Sequence, residues 1–131
     1  MPVTYVVDPD RRLILTRCHG DLRLDEVLNH FEVLEQDPAC PAEADVLLEL
    51  STVTTLPEAP QLRMAADRVG AAARRVRFRA CAIVVGSEAM YGMIRMFEVF
   101  AEKHFEATSV VRTWDDAIAW LNGERSRRQA S

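Results

Sequence analysis

The sequence predicts an α/β domain: an N-terminal antiparallel hairpin, then alternating helices and strands, giving a mostly parallel five-stranded sheet with about four helices. Three observations carry that expectation. Two short β-rich runs flank the turn residues Asp8-Pro9-Asp10. The run Val46–Leu50 is apolar on both faces apart from Glu49, as in a strand covered by helices on each side. After it, stretches with apolar steps of three and four alternate with short apolar runs, the order expected of βα units.

The elements follow in order. Val3–Val7 reads as a strand and Leu13–Cys18 as its hairpin partner, because proline presets φ and aspartate bonds its neighbouring backbone in the turn between them. Gly20-Asp21 breaks the run. Leu24, Val27, Leu28, Phe31 and Leu34 then share one helical face, and Pro38 and Pro41 bound the following loop. Val46–Leu50 is the third strand. Pro57 and Pro60 mark the start of a second helix, where proline is tolerated, with Leu62, Ala65, Ala66, Val69, Ala73 and Val76 facing inward. Small alanines there let the helix sit close to the sheet. Phe78–Val85 is the fourth strand. Gly86-Ser87 opens a third helix with Ser87 as N-cap. A fifth strand ends in Val110–Thr113, and Thr113-Trp114-Asp115-Asp116 fits an acidic capping box ahead of Ala117, Ile118, Trp120 and Leu121. The domain is expected over residues 1–122, with a frayed, flexible tail over 123–131.

A chain of 131 residues suits one domain, and at that size roughly two-thirds of the unfolded surface is buried without a metal or disulfide. The net charge of −4 argues against a general nucleic-acid binder, which carries a basic surplus. No apolar run approaches the ~20 residues of a membrane helix. The start, MPVTYVVDPD, lacks a basic n-region, so a cytoplasmic location is expected. Cys18, Cys40 and Cys81 are odd in number and widely spaced, without a C-x-x-C, and read as buried small hydrophobes. His19, His30 and His104 lack metal-ligand spacing. Cys18 and His19 are adjacent on a strand and point to opposite faces. No catalytic residue, cofactor or metal is therefore expected, and the chain reads as a non-enzyme.

One segment carries a resemblance. Glu49-Leu50-Ser51, followed by Val53 and Leu56 and then a helix start, resembles the STAS domain, specifically its SpoIIAA-like bacterial group. There an acidic-Leu-Ser run leads into Asp-Ser-Ser-Gly, whose first serine is phosphorylated. Here the slot reads Leu56-Pro57-Glu58-Ala59, with Glu58 in place of the acceptor. Gly20 with Asp25-Glu26, and Trp120-Leu121, are weaker matches. The resemblance implies the same order of elements from Val3 to Leu121. It implies a regulatory protein-binding module lacking the phosphorylatable serine. Because this group is often placed with Sec14-like lipid-binding proteins, the alternative is a carrier of lipid or another hydrophobic small molecule.

Two candidate surfaces follow. The first is a partner-binding loop of Glu49, Ser51, Thr52, Thr54, Thr55 and Glu58. Glu58 either mimics a phosphoserine, which carries nearly two charges, or complements a helix dipole, worth under about 1 kcal/mol. The hydroxyls either accept a modification or bond loop backbone, and Glu49 is placed to cap loop donors. The second is an unusually wide apolar face on the third helix: Met90, Tyr91, Met93, Ile94, Met96, Phe97 and Phe100. Methionine adapts to irregular shapes, so this face reads as a homodimer surface, as a pocket wall for an apolar ligand, or as plain core. Arg68, Arg74, Arg75, Arg77 and Arg79 form a basic cluster that reads as a solvated helix end or as a surface for a phosphate or an acidic partner.

Overall fold

A computed structural model describes residues 2–130. The expected α/β architecture is present. β1 (Val3–Asp8) pairs antiparallel with β2 (Leu13–Gly20), and β3 (Glu43–Val53), β4 (Arg77–Val84) and β5 (Ala107–Val111) follow in parallel. The sheet order is sequential, β1-β2-β3-β4-β5. A sheet that always adds its next strand on the same side places every right-handed crossover on one face. Accordingly α1 (Leu24–Gln36), α2 (Ala59–Ala72) and α3 (Glu88–Ala101) share a face, while α4 (Trp114–Ala130) returns across the other.

The alternation of β3 sorts the core. Val46, Leu48 and Leu50 face the three-helix layer, and Leu47 faces α4 with Ala80, Ala82, Val84, Ala117 and Leu121. Two register shifts interrupt the parallel ladder, one between Arg17 and His19 against β3 and one between Ala44 and Val46 against β4. The second gives β4 the extra residue, and the buried Asp45 carboxylate accepts the Ala80 N–H at 3.0 Å.

Several boundaries differ from expectation. β3 starts at Glu43, and α2 ends at Ala72, so Val76, expected on its inner face, is buried beyond the helix. β3 runs on to Val53 because Thr52 and Val53 pair with His19 and Gly20, so Ser51 and Thr52 are strand residues and the loop is shorter, 54–58. β5 ends at Val111 rather than Thr113. The tail expected to fray from Gly123 instead continues α4 to Ala130. Its anchor is charge, not apolar surface: Arg128 forks onto Asp45 at 3.0 and 2.8 Å. At the other end of α4, Thr113 Oγ accepts the Asp116 N–H at 3.1 Å, which is the hydroxyl half of the expected box.

Candidate functional site

The hairpin, α1 and the 54–58 loop converge where the parallel strands end. Gly20, with φ of 70°, turns the chain out of β2, in a conformation that costs glycine little. Its carbonyl accepts the Thr54 N–H at 2.9 Å. The Thr55 hydroxyl accepts from the Leu22 N–H at 3.0 Å and donates to the Leu22 carbonyl at 3.2 Å. Both helix starts beside this seam are capped by a side chain reaching back: Glu26 accepts the Arg23 N–H at 3.0 Å, and Gln61 accepts the Glu58 N–H at 2.8 Å. Each satisfies an amide the helix itself leaves unpaired.

Behind the seam lies a pocket of about 680 Å³ between the three-helix layer and the sheet, inside the roughly 300–1,000 Å³ range of small-molecule sites. Cys18, Leu48, Leu50 and Ile83 line it from the sheet, Val27 and Phe31 from α1, Leu62 and Ala65 from α2, and Met90, Ile94 and Phe97 from α3. The alanines of α2 divide in role. Ala66 and Ala72 sit in close core packing, whereas Ala65 borders the void. Its exposed lining residues are Asp21, Arg23, Asp25, Leu56 and Glu58.

The interior polar groups are uncharged. His30, 7% exposed, lines the pocket and shares a 3.0 Å hydrogen bond between its Nε2 and the Thr16 hydroxyl. Tyr5 meets the ring edge-on and Phe31 packs against it. Burial pushes its pKa down to about 4, so it is neutral at pH 7. Burial, followed by the charge of Glu26, pushes the Cys18 thiol up to about 12. A protonated thiol is a poor nucleophile.

The predicted surfaces are only partly brought together. Thr55 and Glu58 line the pocket; Glu49, Ser51, Thr52 and Thr54 do not. Glu49 Oε1 accepts the Ser51 N–H at 2.7 Å, a donor within β3 rather than in the loop it was expected to cap. Of the α3 face, Met90, Ile94 and Phe97 line the pocket. Tyr91, Met93 and Phe100 are half-buried beside the core, with Arg112 over Tyr91 and Arg63 over Phe100, each at 4.2 Å. Met96 is exposed. The broad face is therefore split among three environments, since a helix of period 3.6 cannot direct all seven side chains one way.

The basic cluster lies away from the pocket lining and is largely engaged by carboxylates: Arg68 with Glu35 at 2.7 Å, and Arg79 with Glu43 at 3.1 Å and Glu106 at 2.9 Å. Arg77 reaches Glu43 at 3.4 Å.

His30, Thr16, Cys18 and Ala65 were missed as site residues. The signal for the first was present, because His30 follows Val27 by three positions and so joins the apolar face of α1. Thr16 alternates with Ile14 and Cys18, which places it on the inner face of β2. Among the described residues no group of three His, Cys, Asp or Glu could hold a metal ion, and no helix is long and apolar enough to cross a membrane. Compared with protein-family models, curated proteins and solved structures, the chain finds no match.

Proposed function

We propose that this chain is a non-enzymatic binding protein that holds a hydrophobic small molecule or a single lipid chain between α1, α2, α3 and the sheet. The observation that carries this reading is the pocket of about 680 Å³, walled by aliphatic and aromatic side chains and entered past a polar rim. A pocket of that kind is the default binding site of a fold. Its interior supports binding rather than turnover: a neutral imidazole held by Thr16 and a protonated thiol supply hydrogen bonds but neither a strong base nor a nucleophile. The likeness of the Glu49–Leu56 run to SpoIIAA-like STAS domains agrees with a carrier of the Sec14-like kind.

Binding of the uncharged dye Nile red tests it. Wild-type protein is expected to enhance and blue-shift its emission. Ala65→Phe, which projects a ring into the void, is expected to weaken the signal while circular dichroism stays native. Leu56→Arg, at an exposed position, gives a second variant that cannot fail through the core. Dye binding unchanged in both variants would sink the reading, as would a wild-type protein that binds none.

A second reading is a protein-binding module of the STAS type acting through the 54–58 corner. It is favoured by Leu56, an apolar side chain 55% exposed in the 54–58 loop. The expected signature is a partner band in native pull-downs that disappears for both Leu56→Ser and Glu58→Ala. Met96 and Val99, also exposed on α3, support homodimerisation, for which light scattering at micromolar concentration is the check. A dimer should shift to monomer in Met96→Lys.

A further inference from the structure

We infer that the pocket takes a single-chain amphiphile with a cationic, amine-type head group, in preference to a fatty acid or another anionic amphiphile. The inference rests on the binding reading above and adds the charge of the ligand's head.

The rim carries the argument. Among the lining residues the charged ones are Asp21, Asp25, Glu58 and Arg23: three carboxylates against one guanidinium, two net negative charges. The one cation is already engaged, since Arg23 Nε stands 3.4 Å from Asp25 Oδ1. The opposing contribution comes from the helix starts. The first turns of α1, α2 and α3 all contribute to the lining, and each helix N-terminus acts as roughly half a positive charge. Together they supply about one and a half units, still short of the two the carboxylates hold. The outermost amides of α1 and α2 are also taken, by Glu26 and Gln61, and Ser87 Oγ accepts the Met90 N–H of α3.

Inside the pocket nothing reverses the sign. His30 is neutral at pH 7 for want of solvation. Glu26, which does not itself line the cavity, still raises the pKa of the Cys18 thiol that does. A carboxylate or phosphate head would sit among three carboxylates, with Arg23, already beside Asp25, as the one cation in the lining. An ammonium head at the rim meets Asp21 and Glu58 while its alkyl chain buries against Leu50, Leu62 and Ile94. Since the rim groups are exposed, the preference is modest and salt-dependent.

Competition against Nile red with decylamine, decanol and decanoate, one chain with three heads, tests this on the 131-residue protein at pH 7 and low salt. Decylamine is expected to displace the dye at about tenfold lower concentration than decanoate, with decanol between them and the gap closing as salt is added. In the doubly substituted Asp21→Asn, Glu58→Gln protein the amine-to-acid ratio should fall to about threefold or less. Decanoate displacing as well as decylamine would overturn the charge inference and leave the pocket reading standing. A full preference retained in the double variant would overturn the assignment to this rim. Failure of all three to displace bound dye would overturn both.

Discussion

Asp45 and Arg128 lie 83 positions apart, yet the guanidinium grips both carboxylate oxygens, at 3.0 and 2.8 Å. Asp45 is 3% exposed, and Oδ1 also accepts the Ala80 N–H, the amide displaced where β4 carries its extra residue. One buried carboxylate thus satisfies an irregular strand and fastens the last turn of α4.

Removing one partner of a buried pair leaves a charge without compensation. Arg128→Ala is expected to cost about 2–4 kcal/mol in urea unfolding, at the low end because the arginine is partly exposed. Asp45→Asn keeps an acceptor for Ala80 and should cost less. The double change should be less damaging than the sum of the two, which is the mark of coupling. An Arg128→Ala protein with a wild-type midpoint would show that the pair contributes nothing.

The same pair shows where the sequence was opaque. Hairpin, helix faces and the doubly covered β3 were legible because periodicity records which face is buried. Ser87 was legible as an N-cap because its chemistry is local, and its Oγ accepts the Met90 N–H at 3.1 Å. Asp45 pairing with Arg128 is a long-range contact that no local pattern encodes, so a polar tail read as frayed. The pocket was hidden for a related reason. Ala65 and Ala66 look alike on a helical wheel, and only the path of α1 and α3 decides which one borders empty space. The width of the α3 face is legible in its sequence, but its division into pocket wall, core and surface depends on helix orientation.

Gly86 and Gly92 should respond oppositely to alanine. A Cβ at Gly86 would stand 2.1 Å from the Ser51 carbonyl oxygen, whereas at Gly92, inside α3, it would meet nothing within 4 Å. Gly86→Ala must move the backbone of β3, with an expected loss of about 2 kcal/mol or more. Gly92→Ala should gain about 0.5–1 kcal/mol through helix propensity. Thermal unfolding of both variants is the measurement. A harmless Gly86→Ala would mean the β3 and β4 ends are looser than described.

His30 makes stability depend on pH in a definite direction. Its pKa is about 4 in the folded protein against 6.5 for the free group, so between those values the unfolded chain binds the extra proton. Stability is therefore full above pH 6.5 and falls as pH drops toward 4. At pH 5 the loss relative to pH 7 should be about 2 kcal/mol from this residue. His104, lowered chiefly by burial as well, acts in the same sense. His30→Gln keeps a hydrogen-bonding group for Thr16 and should flatten most of the slope in urea midpoints at pH 5 and 7. A variant with the wild-type slope would exclude His30 as its source.

Ala65 and Ala72 give the sharpest test of the void independent of any ligand. Both are buried on α2, at 7% and 0% exposure, but only Ala65 lines the pocket. Adding methylenes to a filled core forces side chains off their rotamers and costs typically about 1–3 kcal/mol. Ala72→Leu should show that cost in full. In Ala65→Leu the added atoms enter empty space and bury apolar surface worth roughly 25 cal/mol per Å², so the change should be neutral or stabilising by up to about 1 kcal/mol. Equal destabilisation by the two would mean the three-helix layer closes on the sheet in solution, leaving no chamber for a guest.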